Sequence, residues 1–308
     1  MKSDPRTLTV IIPAYNEEKG LAVLLPQLMQ KRAQTGWEII VVNDGSTDGT
    51  QKVVKTLAPQ ALLINHKVNS GYGASIKSGI LAARTTWIAT VDADGQHRIQ
   101  DLEKMLDHCD GYDAVIGMRP NSRNSGLLRM PGKFILKAMF RLITGRRIKD
   151  INCGLRVIKR KVMCKIFGLA CDRFSFSTST MIALLNFGYA VKFVEIEVQK
   201  RLGRSSVRVL SDGMEAILLM LRMVTLFNPF RVFLPVAGFL LLLGLAYQTT
   251  AFFIYGFTIQ KSALLLIMSG LMLFLFSLQQ DQISSLRREV ASFELKLAEA
   301  DKDNDDSR

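Results

Sequence analysis

Two stretches in the C-terminal third restrict the fold of this chain more than any other feature. No charged residue occurs from Val232 to Gln260, 29 positions, or from Ser262 to Gln280, 19 positions. At about 1.5 Å of rise per residue, each can cross a hydrocarbon layer of about 30 Å as one helix. The short link around Gln248 to Lys261 makes the pair a hairpin. Arg222, Arg231, Arg287 and Arg288 flank its outer ends, and Lys261 stands alone at its tip. The positive-inside rule then predicts that both termini and the N-terminal part lie in the cytoplasm. A buried hairpin of a soluble protein is the competing reading. A hydrophobic share of 48% and a mean hydropathy of +0.18 favour the membrane.

The first 100 residues have a different pattern. Leu8–Ile12, Glu38–Asn43, Ala61–Asn65 and Trp87–Val91 are short apolar, β-branched runs, and helical stretches separate them. Strand and helix in alternation predict an α/β domain with a mainly parallel sheet and helices on both faces. Ligands of such sheets bind beyond the carboxyl ends of the strands. Tyr15, Glu17, Asp44, Asp92 and Asp94 all fall at such ends. In the turn Asp44-Gly45-Ser46-Thr47-Asp48-Gly49-Thr50, Thr47 is placed to cap the next helix. Met1 to Thr7 leads straight into the first strand and has no apolar signal region.

Asp92 and Asp94 follow the Trp87 strand one residue apart. In an extended segment, side chains at i and i+2 point the same way, so the two carboxylates can converge on one hard cation with Gln96 or His97 in reach. A polar turn after a strand explains a bare Asp-x-Asp equally simply. No G-x-G-x-x-G follows the first strand and no G-x-x-x-x-G-K-[ST] is present, which argues against a dehydrogenase and a P-loop NTPase. Cys109, Cys153, Cys164 and Cys171 have no metal or redox spacing and suit a reducing compartment.

The net charge of +13 is concentrated. From Arg119 to Arg173 there are 15 Lys or Arg against Asp150 and Asp172, and the rest of the chain balances at 25 against 25. Such a block suits anionic lipid or a phosphorylated ligand. It contains no zinc-finger or RNP pattern, so nucleic acid is not expected as a partner. Lys133, Lys137 and Arg141 recur every four residues on one helical face, as in a helix lying in a bilayer interface or a solvated surface helix. Ala216–Phe227, interrupted only by Arg222, is a second interfacial candidate.

Pro13-Ala14-Tyr15-Asn16-Glu17, Asp44-Gly45-Ser46-x-Asp48-Gly49-Thr50, Asn69-x-Gly71 and Asp92-x-Asp94-Gly95-Gln96-His97 occur in this order. Together they resemble the family 2 glycosyltransferases of GT-A fold, over roughly Leu8 to Arg208. Gly117-Met118-Arg119, Arg129-Met130-Pro131, Asp150-x-x-x-Gly154-Leu155-Arg156 and Arg201-x-Gly203-Arg204-Ser205-Ser206 narrow the resemblance to the polyprenyl-phosphate glycosyltransferases, the group that includes dolichol-phosphate mannose synthase.

The resemblance implies a GT-A, Rossmann-like domain over residues 1–210; the apolar runs and heptad spacing beyond it predict an interfacial helix at 211–230, two transmembrane helices within 231–280 and an amphipathic or coiled-coil tail over 281–308. The resemblance also implies that Pro13, Tyr15, Glu17 and Asp44 hold the base and ribose of a nucleotide diphosphate sugar. Asp92, Asp94 and Gln96 would bind Mg²⁺ or Mn²⁺ on its diphosphate, with Asp94 essential to turnover. Arg119 and Arg129 would grip the phosphates of donor and polyprenyl phosphate acceptor, and a loop carrying Arg204 and Ser205 would close over the diphosphate. Relatives often have Ser-Lys where this chain has Ser205-Ser206, so the loop cation falls to Arg204 or Arg208.

The expected product is a polyprenyl-phosphate sugar made by an inverting enzyme in a bacterial inner membrane. A processive polysaccharide synthase of the same fold is the alternative, but Trp37 and Trp87 are the only tryptophans and neither sits in a Q-x-x-R-W motif. A non-catalytic nucleotide-sugar-binding scaffold is the third reading. In the tail, Ile283, Leu286, Val290, Phe293 and Leu297 form a seam of about two heptads. It suits a homo-oligomer or a helix folded back on its own domain, and the charged run from Asp301 to Arg308 is expected to be disordered.

Overall fold

The computed structural model describes residues 8–119, 140–141, 144–145, 150, 152–173, 175–198, 218 and 229–305, with the backbone alone for 287–288 and 290–305. These fall into two compact units, one from residues 8–119 and 150–198 and the other from 140–145 and 218–305.

In the first unit, among the described residues, seven strands form one sheet. They are β1 (Leu8–Ala14), β2 (Glu38–Asn43), β3 (Leu62–Asn65), β4 (Trp87–Thr90), β5 (Ala114–Met118), β6 (Arg156–Lys159) and β7 (Val191–Glu195), in the order β3-β2-β1-β4-β6-β5-β7. All pairings are parallel except those of β6, which runs antiparallel between β4 and β5. The sheet is thus mainly parallel, as the alternating pattern predicts. β1 is buried along its whole length, as a strand covered on both faces must be.

Val10, Ile12 and Val41 point to one face and join a core with Leu21, Leu25 and Leu28 of α1 (Glu18–Thr35), Val54 of α2 (Thr50–Leu57) and Leu102 and Met105 of α4 (Ile99–Leu106). Ile11 points to the other face. There α3 (Tyr72–Ala82) lies against β1 and β2 and packs with α5 (Arg160–Ile166) and α6 (Phe176–Asn186). The contact is close: a Cβ on Gly79 of α3 would sit 2.4 Å from Ile11 Cγ2.

The local start of α2 differs from expectation. The helix begins at Thr50 with Gly49 as its N-cap, and Thr47 donates its backbone N–H to Asn16 Oδ1 at 2.8 Å. Asp48 Oδ1 accepts the Thr50 N–H at 3.0 Å. Thr47 is therefore engaged with the neighbouring loop and the helix starts beyond it.

In the second unit, α7 (Phe230–Tyr255) and α8 (Lys261–Asp305) form an antiparallel hairpin. Phe230–Tyr255 and Lys261–Leu286 are each long and apolar enough to cross a membrane. Ala237, Gly244 and Ala251 of α7, and Ala263, Gly270, Ser277 and Ser284 of α8, recur every seventh residue and are buried. Small residues at that period let two helices approach closely along one seam. A Cβ on Gly244 would meet Ile267 Cγ1 at 2.7 Å. Outside the seam Phe239, Leu242, Phe253, Leu265 and Met272 are exposed.

At the tip, Gln248 donates to the Thr258 carbonyl at 2.8 Å and accepts the Gln260 N–H at 3.1 Å. It thereby satisfies turn backbone groups that the helices leave free. Beyond the apolar span α8 continues to Asp305, into the run from Asp301 where disorder was expected. Glu, Ala and Leu predominate from Glu289 to Ala300 and favour helix, which carries the helix up to that run. The helical residues Phe140, Arg141 and Thr144 belong to this unit, whereas Lys133, Lys137 and the stretch 219–227 lie outside the described residues.

The Ile11 contact gives a stability test. Gly79→Val should lower the urea midpoint of the full chain in detergent by the equivalent of about 1–3 kcal/mol, the usual cost of overfilling a packed core.

Candidate active site at the carboxyl edge of the sheet

Strand direction brings six segments to one edge. The parallel strands β1, β2, β3, β4 and β5 end there, leading into residues 15–18, 44–50, 66–71, 91–97 and Arg119. β6 runs the other way, so its beginning, and with it Asp150 and residues 152–155, reaches the same edge.

The first three loops are hydrogen-bonded to one another. Asn16 has φ 54°, a left-handed conformation that its short side chain can stabilise. Its N–H donates to Ser46 Oγ at 3.0 Å and its Oδ1 accepts from Thr47. The Glu17 N–H donates to Thr50 Oγ1 at 3.0 Å, and Glu18 accepts the Gly49 N–H at 3.2 Å. Asp44, only 3% exposed, takes His66 Nδ1 (2.7 Å) and the Ser70 N–H (2.9 Å) on Oδ1 and the Gly71 N–H (2.8 Å) on Oδ2. His66 Nε2 reaches Ser78 Oγ of α3 at 2.9 Å. Asp44 thus shapes the third loop. Pro13 is buried in β1, Tyr15 is exposed and Glu17 is half-buried beside them.

Asp92 and Asp94 lie past the end of β4, in a turn. The alternation of an extended segment therefore does not set their directions. Asp92 Oδ1 accepts the Tyr72 hydroxyl at 2.8 Å, and Oδ2 lies 3.4 Å from His97 Nε2. Gly154 forms a third wall, since a Cβ there would sit 2.2 Å from Oδ2. The Asp92 side chain keeps 29% of its surface.

Burial raises the Asp92 pKa, but His97, the Tyr72 hydroxyl and the Arg119 charge outweigh it and hold the carboxyl below its ordinary value. Burial, then Asp92, push the Tyr72 phenol well above its usual range, so it remains a donor. Asp94 is buried and accepts the Gln96 N–H at 3.1 Å on Oδ1. Gly20 of α1 backs this turn: a Cβ there would fall 2.1 Å from the Ala93 carbonyl oxygen.

Among the described residues no group of three or more His, Cys, Asp or Glu is gathered to hold a metal ion. An all-protein cage is thus not what these residues build. Two carboxylates with hard oxygen donors fit instead a cation such as Mg²⁺, which keeps waters and takes diphosphate oxygens.

Arg119 donates from Nε (2.6 Å) and Nη2 (3.0 Å) to the two oxygens of Asp150, a two-pronged pair with Asp150 4% exposed. The Asn152 N–H also donates to Asp150, and Thr178 Oγ1 donates to Asn152. Beneath them Arg156 is 1% exposed, donating to the Cys153 carbonyl and to Thr180 Oγ1, both at 2.8 Å. Its burial pulls its pKa below the ordinary arginine value.

The pairing of Asp92 with Tyr72 and His97 was not foreseen from sequence. Tyr72 adjoins the Asn69-x-Gly71 motif, but spacing gave no sign of where its hydroxyl goes. Asp150 and Arg156 stood in a quoted motif without a role. Arg129, Arg204 and Ser205 lie outside the described residues.

The Arg119–Asp150 pair sets an acid dependence. Burial raises Asp150, but Arg119 and two backbone N–H groups outweigh it and hold the folded pKa below the ordinary carboxylate value. The stabilisation is therefore complete above that ordinary value, about 3.9, and is lost as pH falls through the depressed folded value. Asp150→Asn should cost about 3 kcal/mol at pH 7, the low end for a broken buried pair because Arg119 is partly solvated. It should also flatten the acid limb of urea stability measured from pH 6 downward.

Residues 9–167 match the family described as Glycosyl transferase family 2, and residues 228–286 match the GtrB C-terminal hairpin. An undecaprenyl-phosphate 4-deoxy-4-formamido-L-arabinose transferase of Pectobacterium carotovorum subsp. carotovorum is 32% identical over 205 residues, 64% of this chain and 61% of that protein. A dolichyl-phosphate beta-glucosyltransferase of Trichomonas vaginalis is 36% identical over 180 residues, 52% of this chain and 55% of that protein. The chain thus spans less than two thirds of the length of either relative. A glucosyl-3-phosphoglycerate synthase of Mycobacterium tuberculosis, solved with Mn²⁺, UDP and glucosyl-3-phosphoglycerate, superposes with TM-score 0.57 at 18% identity, covering 71% of this chain and 80% of that one. That is a likeness of fold, and it agrees with the GT-A architecture expected from the motifs. With the family match running from β1 through α5, the chain belongs to glycosyl transferase family 2.

Proposed function

We propose that this protein is an inverting glycosyltransferase that moves a sugar from a nucleotide diphosphate sugar to a polyprenyl phosphate, giving a polyprenyl-phosphate sugar. The observation that carries the reading is the meeting at one sheet edge of the Asp92–Asp94 turn with the Arg119–Asp150 pair, in a chain that also has an apolar hairpin. Relatives named for transfer to undecaprenyl phosphate and dolichyl phosphate support the acceptor class. The hairpin supports a multi-pass membrane protein. The flanking arginines favour a catalytic domain and termini on the cytoplasmic face of a bacterial inner membrane, and the tail seam favours a homo-oligomer.

In this reading Pro13, Tyr15 and Glu17 line the nucleotide site, with Asp44 holding the loop that closes it. Asp92, Asp94 and Gln96 would hold Mg²⁺ or Mn²⁺, which when bound would supply positive charge to a leaving diphosphate. Arg119 and Arg129 bind donor and acceptor phosphates, and Arg204 and Ser205 contact the diphosphate. Asp150 fixes the plane of the Arg119 guanidinium, so its free edge is aimed before substrate arrives.

A phosphate monoester has its second pKa near 6, so the acceptor is largely a dianion at neutral pH and hardly needs a general base. The chain's residues then have to orient two phosphorylated partners in line, exclude water and balance charge.

The test is product formation by the full chain in lipid, with a panel of UDP- and GDP-sugars, undecaprenyl phosphate as acceptor, and Mg²⁺ or Mn²⁺ present or chelated. A metal-dependent glycosyl-phosphate lipid from one donor is the expected result. Asp94→Asn should lose most turnover by weakening metal and diphosphate binding, and near-normal turnover in that variant would refute the metal assignment.

A further inference from the structure

Tyr72 opens α3 and lies against the one carboxylate of the Asp-x-Asp turn that faces it. Its ring is set by Phe176 of α6, edge-on at 6.4 Å between centroids and 72° between planes. Its backbone is set from both sides. Cβ atoms on Gly71 and Gly73 would fall 2.6 Å from the Asp172 carbonyl oxygen and 2.0 Å from that of Cys171, so the start of α3 lies directly on the chain that leads into α6. The Ala74 N–H donates to the Asp172 carbonyl at 2.8 Å. The hydroxyl is thus aimed by packing, and it meets Asp92 Oδ1 at 2.8 Å.

From the proposed metal-dependent transfer, on which this step rests, we infer that Tyr72 is a positioning residue for Asp92, fixing its carboxylate in the orientation that receives the metal. A free carboxylate rotates about its Cβ–Cγ bond and presents its oxygens over a wide arc. Here Tyr72 takes Oδ1, while His97 and the backbone at Gly154 confine Oδ2. Among the described residues, the side of Asp92 that stays exposed, 29% of its side-chain surface, is left for a cation to approach. Donors of this kind orient a ligating carboxylate, and their loss typically weakens metal binding by about 10–100-fold.

The experiment is Tyr72→Phe in the full chain in lipid nanodiscs, which keeps the ring contact with Phe176 and removes only the hydroxyl. Mn²⁺ is titrated with UDP present, and in a separate series with GDP, and free Mn²⁺ is followed by electron paramagnetic resonance. The expected result is a Mn²⁺ dissociation constant raised about 10–100-fold with an unchanged thermal midpoint. Phe176→Leu, which loosens the ring but keeps the hydroxyl, should weaken Mn²⁺ binding less than Tyr72→Phe does.

Unaltered Mn²⁺ affinity in Tyr72→Phe overturns the inference. So does an equal loss in Phe176→Leu, because packing would then be the cause. Failure of the underlying reading has a different signature: the unsubstituted chain itself takes up no Mn²⁺ with either nucleotide, and the role of Tyr72 falls with it.

Discussion

The buried carboxylate of Asp44 is the joint on which the loops at the carboxyl edge of the sheet depend. Removing an ionised carboxylate from water costs several kcal/mol unless its oxygens are hydrogen-bonded, so Asp44 must gather donors. It finds them in the third loop, at Ser70 and Gly71, and in His66, which is tied to Ser78 of α3. The ends of β2 and β3 are thereby tied to each other and to α3. The latch from Asn16 to Ser46 and Thr47 then places the first loop against the second.

Asp92 is arranged on the same principle with the opposite outcome. Asp44 is enclosed almost completely, whereas Asp92 is confined by Tyr72, His97 and Gly154 and keeps one open side. One carboxylate organises loops and the other is left able to meet a ligand. The Arg119–Asp150 pair shows a third arrangement, in which the acid is buried so that the base is presented.

Much of this was legible in the sequence. The apolar runs at β1, β2 and β4 were plain because strands buried on both faces carry few polar residues, and the hairpin was plain because charge is excluded over whole helices. The position of β6 was not legible: Arg156–Lys159 inserts antiparallel between β4 and β5, and nothing local in four residues specifies direction. The start of α2 was misjudged because Thr47 has a partner 31 positions away in sequence, at Asn16. The targets of Tyr72 and His97 are set by tertiary packing for the same reason. The seam of Ala237, Gly244 and Ala251 against Ala263, Gly270 and Ser277 was present as a period of seven, but counting charges does not detect small residues.

The two backbone walls of the Asp-x-Asp turn also bear on how the site can change over time. Gly20 presses on Ala93 from α1, and Gly154 presses on Asp92 from the chain before β6. Every amino-acid replacement at a glycine codon introduces the same first atom, a Cβ, and at these positions that atom has no room. At Gly20 the obstacle is backbone, so a relative that alters it must move α1 together with the turn, whereas at Gly154 the obstacle is the Asp92 carboxylate, which any side chain there would displace.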